Sequence, residues 1–179
     1  MSIVSGWCLS AGYAPRILIV EDEGEMAQIL ADLVRKGGAE VRTEGDGSAG
    51  LEAVEAFDPD VIIADLKMPL VRGDEMLVEL RQRGFKKPVI VLTGYGDEEL
   101  AVQAQRYDAF DFLNKPVPKE ILMAVIQKAI RMENERLEKE MLIQDLLAAL
   151  SQASGISANR QLLEKKAAQR VKSDRTKQA

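Results

Sequence analysis

Three stretches of the chain, Ile17–Val20, Val61–Ala64 and Val89–Leu92, are near-continuous runs of β-branched and aliphatic residues without polar alternation. A strand with one face in water alternates apolar and polar residues. A strand that does not alternate is covered on both faces, as in a parallel sheet packed between two layers of helices. These runs therefore predict buried parallel strands, and every further reading has to be compatible with them.

Two weaker apolar runs, Ala39–Thr43 and Ala109–Leu113, complete a set of five, each followed by a polar turn and a stretch with helical spacing. Met26, Ile29, Leu30, Leu33 and Val34 form one helical face, stopped by Gly37-Gly38. Leu51, Val54 and Phe57 form another, as do Met76, Leu77 and Leu80, while Pro59, Pro69, Gly73, Gly94 and Gly96 punctuate the turns. Five β-α units within about 115 residues predict an α/β fold with an open, doubly wound parallel sheet. Right-handed crossovers leave few topologies, and the flavodoxin-like five-stranded order 2-1-3-4-5 is the one expected. In such sheets ligands sit beyond the carboxyl ends of the strands, at the switch point between strands 1 and 3.

Composition removes several chemistries. The 179 residues include no histidine, which excludes Ser-His-Asp and Cys-His triads and any phosphohistidine carried by this chain. The single cysteine, Cys8, makes an intramolecular disulfide impossible and disfavours a thiolate zinc site. No apolar run approaches the roughly 20 residues of a membrane-spanning helix, and residues 1–14 lack a secretory pattern, so the cytoplasm is the default location. Residues 1–14 read as a flexible extension, 15–131 as the main domain, 132–153 as a helical extension and 154–179 as a basic tail. Charge divides along the same line, with net −9 over residues 1–118 and +4 over 119–179. The acidic part should repel nucleic acid.

The chemistry-bearing residues fall just after the predicted strands. Strand 1 runs into Glu21-Asp22-Glu23, strand 3 into Asp65, strand 4 ends at Thr93, and strand 5 is followed by Asn114-Lys115-Pro116. The order 2-1-3 brings Glu21, Asp22 and Asp65 together. Gathered carboxylates repel one another unless a cation sits among them, and an all-oxygen site suits Mg2+. Lys115 supplies a second positive charge, and Thr93 a hydroxyl for one oxygen of a transferring phosphoryl group. A carboxylate attacking phosphorus gives an acyl phosphate, with catalysis chiefly by positioning and charge neutralisation.

At these residues the chain resembles the receiver domain of two-component response regulators, over roughly Arg16 to Arg131. The resemblance rests on ILIVEDE, DVIIADLKMP, PVIVLTGYGD and DFLNKPV, in order and each at a strand end. It implies that Asp65 is the phosphoacceptor, served by a partner histidine kinase or phosphotransfer protein. It also implies that Glu21, Asp22, Asp65 and the Lys67 carbonyl bind Mg2+, and that Thr93 and Lys115 contact the phosphoryl group. By the same resemblance the Lys115-Pro116 peptide is cis, Phe112 is the switch aromatic, and phosphorylation alters the face formed by the fourth helix, fifth strand and last helix. Glu21 stands where aspartate is also common, and its longer arm adjusts metal affinity. Lys67 and Tyr95 occupy positions that influence the lifetime of the phosphorylated state.

Two enzyme classes compete with this reading. Haloacid-dehalogenase-like phosphatases place a second aspartate two residues after the nucleophile, but here that residue is Lys67. Dinucleotide binding needs a glycine pattern after strand 1, where this chain is acidic. The chain is accordingly expected to be a signalling module and not an enzyme.

A long helix is predicted from about Lys119, with Ile121, Leu122, Val125, Ile126 and Ala129 covering the sheet. Beyond it, Ile130, Asn134, Leu137 and Met141 fit one heptad register, which predicts a coiled coil and a homodimer, the asparagine favouring parallel strands. The alternative is a helix folded back on its own domain. Residues 156–179 hold seven Lys+Arg against two acids, which opens a DNA-binding regulator as a second function, although a disordered solvated tail is the expected state.

Overall fold

The structure is a computed structural model that describes residues 13–94 and 108–176, with side chains described as far as Gln152. In chain order the elements are β1 (Arg16–Val20), α1 (Gly24–Lys36), β2 (Glu40–Glu44), α2 (Gly47–Phe57), β3 (Val61–Asp65), α3 (Gly73–Gln82), β4 (Val89–Thr93), β5 (Asp111–Asn114) and α4 (Lys119–Thr176). The five strands form one sheet in the order β2-β1-β3-β4-β5, and every neighbouring pair is parallel. This is the flavodoxin-like topology that the apolar runs predict. The helix expected between β4 and β5, with Tyr95, lies outside the described residues, as do Trp7 and Cys8.

Successive residues of a strand point to opposite faces, and the sheet uses both. Ile17, Ile19, Val61, Ile63, Ile90 and Leu92 point to one face, where Leu30, Ala31 and Val34 of α1 and Leu122, Ile126, Ala129 and Ile130 of α4 cover them. Leu18, Val20, Ile62, Ala64, Val89 and Val91 point to the other, against Ala53 of α2 and Met76, Leu77 and Leu80 of α3. β2 sits at an edge and is half-exposed along its length, so its apolar signal is the weakest of the first four. The α2 helix starts on Asp46, whose carboxylate accepts from the Ser48 and Ala49 amides, satisfying donors that have no partner within the helix.

The amino-terminal rim of the sheet is fastened by charge. Buried Asp60 accepts from the Arg16 amide at 2.7 Å and from the Tyr13 hydroxyl at 2.6 Å. Beside it Asp58 pairs with Arg16 at 2.8 Å and with Lys87 at 2.7 Å. Burial first, and then the hydrogen bond to Asp60 and its charge, push the Tyr13 phenol up from 10.0 to about 12. A folded-state value above the unfolded one stabilises the fold fully below the unfolded pKa, and that contribution disappears as pH rises through the folded pKa. The urea midpoint of the wild type should thus fall more steeply than that of Tyr13→Phe between pH 10 and 12, the range these two values bracket. Parallel curves for the two proteins would show that the hydroxyl contributes nothing.

The chain divides into two compact units, residues 1–134 and 135–179. One expectation changes here. Ile130 is buried in the first unit against the sheet, and Asn134 is half-buried there, so neither can head a coiled-coil seam. The 3-4 spacing that suggested the seam belongs, over its first turn, to the packing of α4 on its own domain. The helical backbone continues through Thr176. Its last stretch is basic, but it is equally rich in Ala, Leu, Lys, Arg and Gln, residues of high helix propensity.

Candidate functional site

Apart from Phe112, which lies within β5, the site residues expected from the sequence sit at the carboxyl ends of β1, β3, β4 and β5. The Glu21 amide extends the ladder with β2 by donating to the Glu44 carbonyl at 2.9 Å. Asp65 is the last residue of β3, level with Leu92 of β4. Glu21 and Asp65 are buried and Asp22 is exposed, yet one carboxylate oxygen from each of the three lies within 4.8 Å of the others. The topology has thus done what the order 2-1-3 predicts.

Lys115 reaches this group from β5. Its amide donates to the Thr93 carbonyl at 2.7 Å, and the Lys115-Pro116 peptide is cis. Its ammonium donates to Asp65 Oδ2 at 2.8 Å and to both oxygens of Glu21, at 3.0 and 2.7 Å. The other Asp65 oxygen, Oδ1, accepts from the Lys67 amide at 3.2 Å. Asp65 is therefore held from two sides, with its carboxylate plane set by one backbone and one side-chain donor.

Electrostatics follow from this packing. Burial pushes the Glu21 carboxyl up from its ordinary range, the charge of Asp65 adds to the rise, and the hydrogen bond and charge of Lys115 oppose it. For Lys115 burial works toward a lower value, but the hydrogen bonds and charges of Asp65 and Glu21 outweigh it, so the ammonium is held more firmly protonated than usual. Three carboxyl groups share the pocket with one lysine, so oxygen donors outnumber positive charges there. Oxygen donors in excess of positive charge are the donor set that Mg2+ takes, so the residues present fit the ion.

Two features were not legible beforehand. Buried Thr93 donates its hydroxyl to Asn114 Oδ1 at 2.7 Å, so Asn114 holds it in its present orientation. Asn114 was noted only as a residue of the turn after β5. Gly73, at the start of α3, packs against the backbone of Asp65 and donates its amide to the Leu66 carbonyl at 3.1 Å. The only signal was a glycine eight residues after the key aspartate, at the head of a helix. Phe112 is half-buried on β5 and packs with the α2–α3 layer.

Residues 17–127 match the family described as the response regulator receiver domain. The chain is 34% identical over 128 residues to the C4-dicarboxylate transport transcriptional regulatory protein DctD of Pseudomonas aeruginosa, covering 71% of this chain and 28% of that protein. It is 31% identical over 138 residues to the transcriptional regulatory protein FixJ of Bradyrhizobium diazoefficiens, covering 77% of this chain and 67% of that one. The chain thus spans between about a quarter and two thirds of these relatives. Among solved structures, a response regulator receiver domain protein from Clostridium thermocellum superposes with TM-score 0.64 at 34% identity, covering 67% of this chain and 97% of that one. NtrX from Brucella abortus gives TM-score 0.67 at 29% identity, covering 73% and 30%.

Proposed function

The chain belongs to the response regulator receiver family of two-component signalling, and from that premise we propose that Asp65 is its phosphoacceptor. The observation that carries the proposal is the placement of the Lys115 ammonium 2.8 Å from Asp65 and 2.7 Å from Glu21, at the end of the sheet where such folds bind ligands. The donor that the family implies is a phosphohistidine, which a partner kinase or phosphotransfer protein would carry, as this chain has no histidine. An Asp65 carboxylate oxygen forms the new bond to phosphorus. The phosphorus–nitrogen bond to the partner breaks, its electron pair staying on the imidazole, which takes up a proton.

Mg2+ held by Glu21, Asp22, Asp65 and the Lys67 carbonyl would neutralise charge on the phosphoryl oxygens. Lys115 neutralises the same group from the β5 side and keeps Asp65 aimed. Thr93 then turns its hydroxyl to a phosphoryl oxygen, and Phe112 follows on the same strand layer. The output is a change in partner affinity or self-association, not turnover of a substrate. Among the described residues no helix is long and apolar enough to cross a membrane.

The acceptor is tested by intact mass after incubation with acetyl phosphate and Mg2+, comparing wild type with Asp65→Asn. Turning Thr93 toward phosphate means giving up its bond to Asn114. A hydrogen bond of this kind contributes on the order of 1 kcal/mol, or about fivefold in an equilibrium. Asn114→Ala is accordingly expected to gain its phosphoryl group up to about fivefold faster at limiting acetyl phosphate. An unchanged or slower rate would remove Asn114 from the switching account.

A further inference from the structure

The second unit carries an apolar face that is more than half exposed. Leu142, Ile143 and Leu146 are between 55% and 69% exposed, within two turns of α4. A helix with such a stripe buries it against another surface. We infer that the occupant is the same segment of a second copy, running antiparallel. The inference does not depend on the phosphoacceptor reading.

The argument comes from where positions fall along the helix. Leu142, Leu146, Ala149, Ala153, Ile156, Arg160, Leu163 and Ala167 follow one another at alternating intervals of four and three residues. That is an unbroken seam of a two-stranded coil, with Leu142, Ala149, Ile156 and Leu163 at d and Leu146, Ala153, Arg160 and Ala167 at a. Ile143 and Leu150 fall at the flanking e positions and widen it on one side. In a parallel pair each residue meets its own copy, so Arg160 faces Arg160 and the alanine layers at 149 and 153 are underfilled.

Reversing one helix exchanges a with d. One register then places Leu146 level with Leu163 of the second copy, Ala153 with Ile156, Ala149 with Arg160 and Leu142 with Ala167. Three of these four layers set a large residue against a small one, and like charges no longer meet. Charge supports the same choice. Residues 135–154 hold four acids against two bases, whereas 155–174, which lie opposite them in this register, hold five bases against two acids. Each copy offers its acidic half to the basic half of the other, and Asp145 falls within reach of the level of Lys166.

The test uses the full chain with Cys8→Ser as background. Leu142→Cys and Ala167→Cys are made separately, then oxidised alone and after equilibration together. The antiparallel pair predicts a disulfide-linked dimer only in the mixture, because each cysteine lies about 25 residues from its own copy along the pair, or roughly 37 Å. Cross-linking of either variant alone would establish a parallel pair and overturn the proposal. Light scattering should give twice the 19.7 kDa chain mass for the Cys8→Ser protein and a single chain mass for Leu146→Glu, with an unaltered urea midpoint for the first unit. A monomer before any substitution would overturn it equally.

Discussion

Asp65→Asn is expected to take up no phosphoryl group from acetyl phosphate and Mg2+ under conditions where the wild type gains one. The substitution keeps the shape of the side chain and leaves an oxygen able to accept from the Lys67 amide, now 3.2 Å from Oδ1. What it removes is the anionic oxygen that would attack phosphorus, so the loss should be that of a deleted nucleophile, at least about 1,000-fold in rate. The fold should survive, because the Lys115 ammonium retains both oxygens of Glu21. Intact mass reads the stoichiometry, and the urea midpoint of the variant shows that the protein is still folded. Equal phosphoryl gain by a folded variant would place the acceptor on another residue. No gain by the wild type under saturating donor would undermine the phosphoacceptor reading itself.

Gly73→Ala should give the largest loss of stability among the substitutions considered. A β-carbon at Gly73 would lie 2.0 Å from the carbonyl oxygen of Asp65 and 2.9 Å from its carbonyl carbon, both backbone atoms. Carbon and oxygen cannot approach so closely, and backbone at the end of a central strand has little room to yield. Overpacking usually costs about 1–3 kcal/mol, and this site should fall at or beyond the upper end. The strain falls on the connection that orients Asp65, so phosphorylation should slow along with the drop in the urea midpoint. Gly24→Ala is the control, since a β-carbon there meets nothing within 4 Å. At the first turn of α1 it should be neutral or stabilise by up to about 1 kcal/mol. Equal midpoints for the two alanine variants would show that the contact between Gly73 and Asp65 is not tight in solution.

Much of the molecule could be read from the chain alone because one physical signal dominated. Strands buried on both faces wrote themselves as unbroken aliphatic runs, and the residue after each run had to lie on one rim of the sheet. Glu21, Asp22, Asp65, Thr93 and Lys115 were therefore identifiable without knowing a single contact. Asn114 and Gly73 were not, because their importance lies in which atoms they approach across the fold, and no local pattern carries that. The long helix after β5 was legible, but the heptad register laid on its first turns was not right, for a different reason. A 3-4 spacing says that a helix has a covered face but not what covers it, so Ile130 was assigned to a seam when it belongs to the domain core.

The two ends of the same strands have separate duties. At one end Asp60, Asp58, Arg16, Tyr13 and Lys87 bind neighbouring segments together, and none of them faces the acidic pocket at the other. Robustness and reactivity can thus be adjusted independently. Substitutions around Asp60 should change heat tolerance while leaving the geometry of the acidic pocket as it is.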